Sequence, residues 1–178
     1  IELNDKKITS EVCAHHLWFT ENNYSELGSK IKWNPAIKSK NDRDALWLAI
    51  KEDKIDIIAS DHAPHTIEEK NNKYLSCPSG GPMIQHTILS LLQKCKKYGV
   101  SYEKIVEKIA HNPAIIFKVN NRGFLREGYY ADIVLIDTNT PTHVTKDSLL
   151  YKCGWSPFEG QIFDNSCLLY TSPSPRDS

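Results

Sequence analysis

Apolar positions along the chain fall into short runs and helical stripes, separated by polar stretches rich in proline, glycine and asparagine. Residues 7–14, Lys-Ile-Thr-Ser-Glu-Val-Cys-Ala, read as a strand that runs into His15 and His16. Residues 21–40 are polar and hold Trp33-Asn34-Pro35, which predicts a loop. Asn41 or Asp42 can cap a helix reaching Glu52, because Ala45, Leu46, Leu48, Ala49 and Ile50 form a broad face at helical spacing. Residues 55–60, Ile-Asp-Ile-Ile-Ala-Ser, are a short apolar strand that ends directly in Asp61-His62-Ala63-Pro64-His65. A polar loop over 66–81 closes in Pro78-Ser79-Gly80-Gly81-Pro82, and a helix is predicted from Met83 to Lys97. A second runs from Ser101 to Ala110, with Tyr102, Ile105, Val106 and Ile109 on one face. Asn112-Pro113 has the form of a new helix start, a cap followed by proline at the first helical position.

Strand, loop, helix and strand in this order predict the α/β class. A polar loop at the carboxyl end of a buried strand is where barrel enzymes place their chemistry. The character changes after Phe117. Asn120–Gly123 and Gly128 read as turns, residues 131–137 as a strand, and a threonine-rich irregular stretch follows. This part predicts β structure outside the helical layer, with a boundary near residue 119. Residues 167–178 show no periodicity and are expected to stand outside the fold. No internal repeat is visible.

Composition narrows the partners. Lys plus Arg and Asp plus Glu balance at 22 each, so no net charge draws the chain to nucleic acid or an anionic membrane. No apolar run approaches the roughly 20 residues of a membrane span. The five cysteines are scattered, with no Cys-x-x-Cys pair, which predicts a reduced cytoplasmic protein without a zinc-finger type site. The chain opens on Ile1 with neither Met nor a signal segment, so an N-terminal portion is expected to precede it.

Asp61 at the end of an apolar strand, followed at once by His62, can bind a divalent cation or shuttle a proton. The competing assignment is a capping aspartate with surface histidines, and Pro64 favours a fixed turn. His15 and His16, placed on a strand, would point to opposite faces, one packed and one exposed. Asn34 alone carries no signal, and Ser79-Gly80-Gly81 could offer backbone N–H groups to an anion. His86, His111 and His143 lack partners at ligand spacing and read as structural. Trp18, Trp33, Trp47 and Trp155 read as core or cover, since no basic stripe accompanies them.

Four segments together resemble the closing barrel segments of dihydroorotases. They are Glu11–Leu17, Trp33–Ile37, Asp42–Leu46 and the string Ser60-Asp61-His62-Ala63-Pro64-His65. Asn112-Pro113-Ala114, followed by Gly128–Val134, resembles the ending of the wider amidohydrolase superfamily. The resemblance covers residues 7–166. It implies the C-terminal part of a (β/α)₈ TIM-type barrel over residues 1–118, then part of a small β domain over 119–166. Residues 167–178 resemble a translated sequencing-library adapter and are expected to be non-native.

The resemblance implies a zinc-dependent hydrolase that interconverts N-carbamoyl-L-aspartate and L-dihydroorotate in pyrimidine biosynthesis. Asp61 would bind zinc and act as general acid/base. Asn34 and His65 would hold the substrate, and Ser79 and Gly80 would contact it, although Ser-Gly-Gly departs from the more usual Phe-Gly. Glu11 and His15 would at most touch an accessory metal of some relatives, while His15 and His16 do not match the main zinc ligands. The family's His-x-His pair, its bridging carboxylate or carboxylated lysine and its two further histidines are not found in this sequence. The isolated chain is therefore expected to be inactive and to bind zinc poorly. Alternatives are a hydantoinase- or allantoinase-like cyclic amidase, or an inactive homologue that scaffolds a transcarbamoylase. A homo-oligomer or a transcarbamoylase complex is the implied assembly.

Overall fold

The computed structural model describes residues 2–171. Strand β1 (Glu11–Cys13) leads straight into a short helix, α1 (Ala14–Trp18). The polar stretch expected as loop is instead a string of tight helical turns, including α2 (Tyr24–Leu27), and its Asn34–Pro35 peptide is cis. Helix α3 (Lys40–Lys51) follows. Its cap is Ser39, not Asn41 or Asp42. The Ser39 hydroxyl accepts from the Asp42 N–H, and the Asp42 carboxylate accepts from the Ser39 N–H at 3.1 Å. Asp42 is thus the third residue of a capping box rather than the cap itself.

Strand β2 (Ile57–Ala59) pairs with β1 in parallel, Glu11 opposite Ile57, Val12 opposite Ile58 and Cys13 opposite Ala59. The two strands are joined through α1 and α3, as parallel pairing requires. Their amino ends are stapled. Asp56, 4 % exposed, accepts from the Ser10 N–H at 2.9 Å, and the Asn112 amide donates to the Asp56 carbonyl at 2.7 Å. The 66–81 segment contains a further short helix, α4 (Ile67–Lys70), with its own capping box from Thr66 and Glu69.

Helix α5 (Thr87–Cys95) buries Leu89, Leu91, Leu92 and Cys95, and the chain then leaves through Gly99 at φ +65°. Helix α6 (Tyr102–Val106) starts from Ser101 and passes through a π-helical turn, Glu107–His111, into α7 (Asn112–Ile116). Asn112 therefore does not open a new helix; its backbone is helical at φ −63°. Pro113 lacks the N–H that an α-helix interior needs, and the wider turn before it absorbs the misfit.

One core holds the layers together: Leu17, Trp33, Trp47, Ile50, Met83, Leu91 and Ile105 share a buried cluster with Val144, Phe158 and Phe163. The indole of Trp47 stacks on Tyr98 and donates to the Leu17 carbonyl at 3.0 Å. The last three members come from beyond residue 119 and pack against the helical part. Strands β4 (Thr142–His143) and β5 (Ile162–Phe163) pair with each other, and this stretch packs its aromatics back into the helical core. Outside the core lies a ribbon of β3 (Ile133–Asp137) and β6 (Ser166–Thr171), paired antiparallel with a bulge between Leu135 and Ile136. Cys167–Thr171, expected to stand outside the fold, thus forms a strand against β3, while residues 172–178 lie outside the described residues. All five cysteines are free, and among the described residues no helix is long and apolar enough to cross a membrane.

His86 sits in the core, 2 % exposed, with its ring against Tyr151, Phe158 and Phe163 and its Nδ1 without a hydrogen-bond partner among the described residues. Burial lowers its pKa from 6.5 to about 4. Below pH 6.5 the unfolded chain takes up this proton before the folded one does, so stability falls as pH drops towards 4. Urea midpoints measured across that window should decline by an amount corresponding to roughly 3 kcal/mol from this group, and His86→Phe should make the decline shallower.

Candidate active site

The carboxyl ends of β1 and β2 lie side by side, and the residues that follow them form the candidate site. After Cys13 the chain turns helical at once, so His15 and His16 ride on α1 and not on a strand as expected. His15 is fully buried and stacks on Trp33, ring centroids 4.2 Å apart at 8°. Among the described residues, neither of its ring nitrogens has a hydrogen-bond partner. Burial, assisted by His16, pushes its pKa down to about 2, so the ring is neutral. His16 is half-buried, and its Nε2 lies 2.9 Å from the Pro35 carbonyl. A carbonyl can only accept, so Nε2 carries the proton and Nδ1 keeps a lone pair. Burial, followed by the negative charge of Asp61 and Glu11, raises the Cys13 thiol to about 12.

Beyond β2, Asp61 takes a left-handed backbone, φ +45°. Aspartate tolerates this conformation better than most residues, and such strain is concentrated at functional sites. Its carboxylate is 46 % exposed and stands 4.0 Å from His15 Nε2. His62 turns the other way. Its Nδ1 accepts from the backbone N–H groups of Met83 at 3.0 Å and Ile84 at 3.3 Å, and it bridges to Gly81 as a strand would. The Ala63 N–H adds a bond to the Gly81 carbonyl at 3.2 Å. The 79–83 segment is thereby laid along the residues that follow β2.

This docking gathers the remaining sequence-predicted residues. The Asn34 amide donates to the Ser79 hydroxyl at 2.9 Å, and His65 Nε2 donates to the Ser79 carbonyl at 3.1 Å. Gly80 follows at φ +113°, where a Cβ would stand 2.7 Å from both Cβ and the carbonyl oxygen of Ala63. Asn34, His65, Ser79 and Gly80 are therefore neighbours. Asp61 reaches them indirectly, through His15, His16 and the Pro35 carbonyl.

Sequence reasoning missed the groups that hold this arrangement. Lys70 is fully buried, and its ammonium donates to the carbonyls of Pro78 at 2.9 Å and Gly80 at 2.8 Å. Burial holds its pKa below the usual lysine range. Lys32 donates to the carbonyls of Tyr74 and Cys77, both at 2.6 Å. The Trp155 indole donates to the His65 carbonyl at 2.7 Å. Nothing local marks these roles, since a lysine in a polar stretch reads as exposed. The gathering of Cys13, His15 and His16, whose ligand atoms lie within 4.8 Å of one another, did have a signal: Cys-x-His-His directly after a strand.

The profile of the Amidohydrolase family matches residues 2–166. The chain belongs to the amidohydrolase family. It is 34 % identical over 154 residues to the dihydroorotase of Halobacterium salinarum, covering 86 % of this chain and 36 % of that protein. With the dihydroorotase of Pyrococcus furiosus it shares 37 % identity over 153 residues, 86 % of this chain and 35 % of that relative. Among solved structures it resembles L-hydantoinase (dihydropyrimidinase) from Arthrobacter aurescens, with TM-score 0.85 and 24 % identity, over 92 % of this chain and 38 % of that one. The α/β fold expected as the C-terminal part of an amidohydrolase barrel is borne out by that likeness. This amidohydrolase chain spans little more than a third of the length of its curated relatives.

Two substitutions test how the loop is held. Gly80→Ala puts a Cβ against Ala63 in a backbone conformation alanine resists, and should lower stability by about 2 kcal/mol or more in urea titration. Lys70→Met leaves two carbonyls without their charged donor and should cost about 3 kcal/mol in the same assay.

Proposed function

We propose that the protein carrying this chain is a dihydroorotase, opening the ring of L-dihydroorotate to N-carbamoyl-L-aspartate and closing it in reverse. The observation that carries the reading is the hydrogen-bonded set Asn34–Ser79–His65, with Gly80 next in the chain, assembled beside the strand end that presents Asp61. Those are the positions to which the dihydroorotase resemblance assigns substrate binding and proton transfer. The names and identities of the curated relatives support the same choice.

Hydrolysis needs water to attack the ring amide carbonyl, the C–N bond to break and the departing nitrogen to gain a proton. Asp61, half-exposed at the strand end, takes the proton from the attacking water and returns it to the nitrogen. In ring closure the same carboxylate removes the proton of the attacking amide nitrogen. His65 and Asn34 face the substrate's polar groups, and the backbone at Ser79 and Gly80 sets the rim against which it lies. The family implies zinc, and the half-exposed Asp61 carboxylate is a donor of the type zinc takes. Bound zinc supplies Lewis-acid polarisation of the carbonyl and a more acidic water. Asp61 belongs to the ligand set that the dihydroorotase resemblance implies, and the rest of that set belongs to the longer protein. A cytoplasmic location suits a biosynthetic enzyme with free cysteines.

A second reading, a hydantoinase-like cyclic amidase, is favoured by the structural likeness to L-hydantoinase. Expression of the entire reading frame that contains this chain separates the two. Dihydroorotate should be hydrolysed in preference to hydantoin and dihydrouracil, and Asp61→Asn should reduce kcat by about 10²–10⁴-fold. The chain alone should give no turnover. Turnover of hydantoins without dihydroorotate would replace the leading reading by the second.

A further inference from the structure

We propose that Cys13, His15 and His16 form a binding site for a borderline divalent cation such as zinc. Their ligand atoms already lie within 4.8 Å of one another. A tetrahedral zinc ion, with ligand bonds of about 2.0–2.3 Å, spaces its donors by roughly 3.5 Å, a closure that side-chain torsions can supply. One thiolate and two imidazoles suit zinc or cobalt and disfavour magnesium and calcium.

The burial of His15 is the independent observation. The side chain is 0 % exposed, yet both ring nitrogens lack hydrogen-bond partners among the described residues. A buried polar atom without a partner is destabilising, and a coordinated cation would offset that. His16 adds a second sign. Its Nε2 proton is committed to the Pro35 carbonyl, which fixes the ring and leaves Nδ1 to ligate. Histidine ligands of metals are commonly held in this way. Asp61 and Glu11 both place negative charge beside the thiol, favouring a cation there. The Asp61 carboxylate, 4.0 Å from His15 Nε2, borders the fourth position. Binding displaces the thiol proton to solvent and ties the carboxyl end of β1 to the first turn of α1. The expectation of poor zinc binding counted Asp61 alone; these three donors change that count. The site stands on its own donors, whatever reaction the longer protein performs.

Cobalt(II) titration of the reduced, chelator-stripped chain tests this directly. One cobalt per chain should bind, with a sulfur-to-cobalt charge-transfer band and the visible absorption of tetrahedral cobalt, and zinc should displace it. Cys13→Ser should remove the charge-transfer band, and His16→Gln should weaken binding by about tenfold or more. Cys153→Ser should alter neither, and circular dichroism should show every variant folded as the parent chain is. A folded chain without the band, or a band that survives Cys13→Ser, overturns the site. Turnover of any amide does not enter this readout, so its outcome is separate from that of the dihydroorotase reading.

Discussion

Three residues of parallel pairing, Glu11–Cys13 against Ile57–Ala59, set the position of everything chemical in this chain. Parallel strands end on the same side, so the residues that follow each are delivered to one edge. Cys13, His15 and His16 arrive from one strand, and Asp61 and His62 from the other. The pair is short, and its register depends on contacts at its far end. There the Asp56 carboxylate holds the Ser10 backbone while Asn112 reaches over from the last helix to the Asp56 carbonyl. A slip of one residue would exchange the two buried faces that Ile57 and Ile58 occupy and carry Asp61 away from His15.

The second organising device is a polar interior with most of its bonds made. Lys70 has no solvent contact, yet two carbonyls receive its ammonium, and they are those of the residues flanking Ser79. His62 accepts two backbone N–H groups, and Trp155 caps the His65 carbonyl. Each bond fixes backbone that carries a candidate-site residue, so the loop over 77–83 is held by many weak constraints rather than by regular structure. His15 departs from this pattern, since its stacking on Trp33 satisfies the ring faces and leaves the nitrogens unpaired.

Membership of the amidohydrolase family and the barrel likeness place these strands within a larger closed sheet. A buried strand with a functional loop at its carboxyl end is the arrangement such barrels use for varied chemistry. The return of Phe158 and Phe163 into the core shows how the later β segment is bound to the barrel portion, by aromatic burial rather than by strand pairing.

The amino-acid sequence by itself determined the elements whose signals are local. The apolar run ending in Asp61, the helical stripe of Leu46, Ala49 and Ile50, and the Asp-His-Ala-Pro-His string were all legible, because periodicity and turn chemistry act over a few residues. Caps and junctions were less so: Ser39 rather than Asn41 starts α3, and the helix runs through Asn112, since competing polar residues offer similar local bonds. Tertiary structure alone decided that His15 and His16 are helical, that Lys70 is buried, and that Asn34 meets Ser79 across 45 positions of sequence. Those outcomes depend on packing between segments far apart in the chain, where the cost of an unpaired buried group and the gain of a filled core outweigh any local preference.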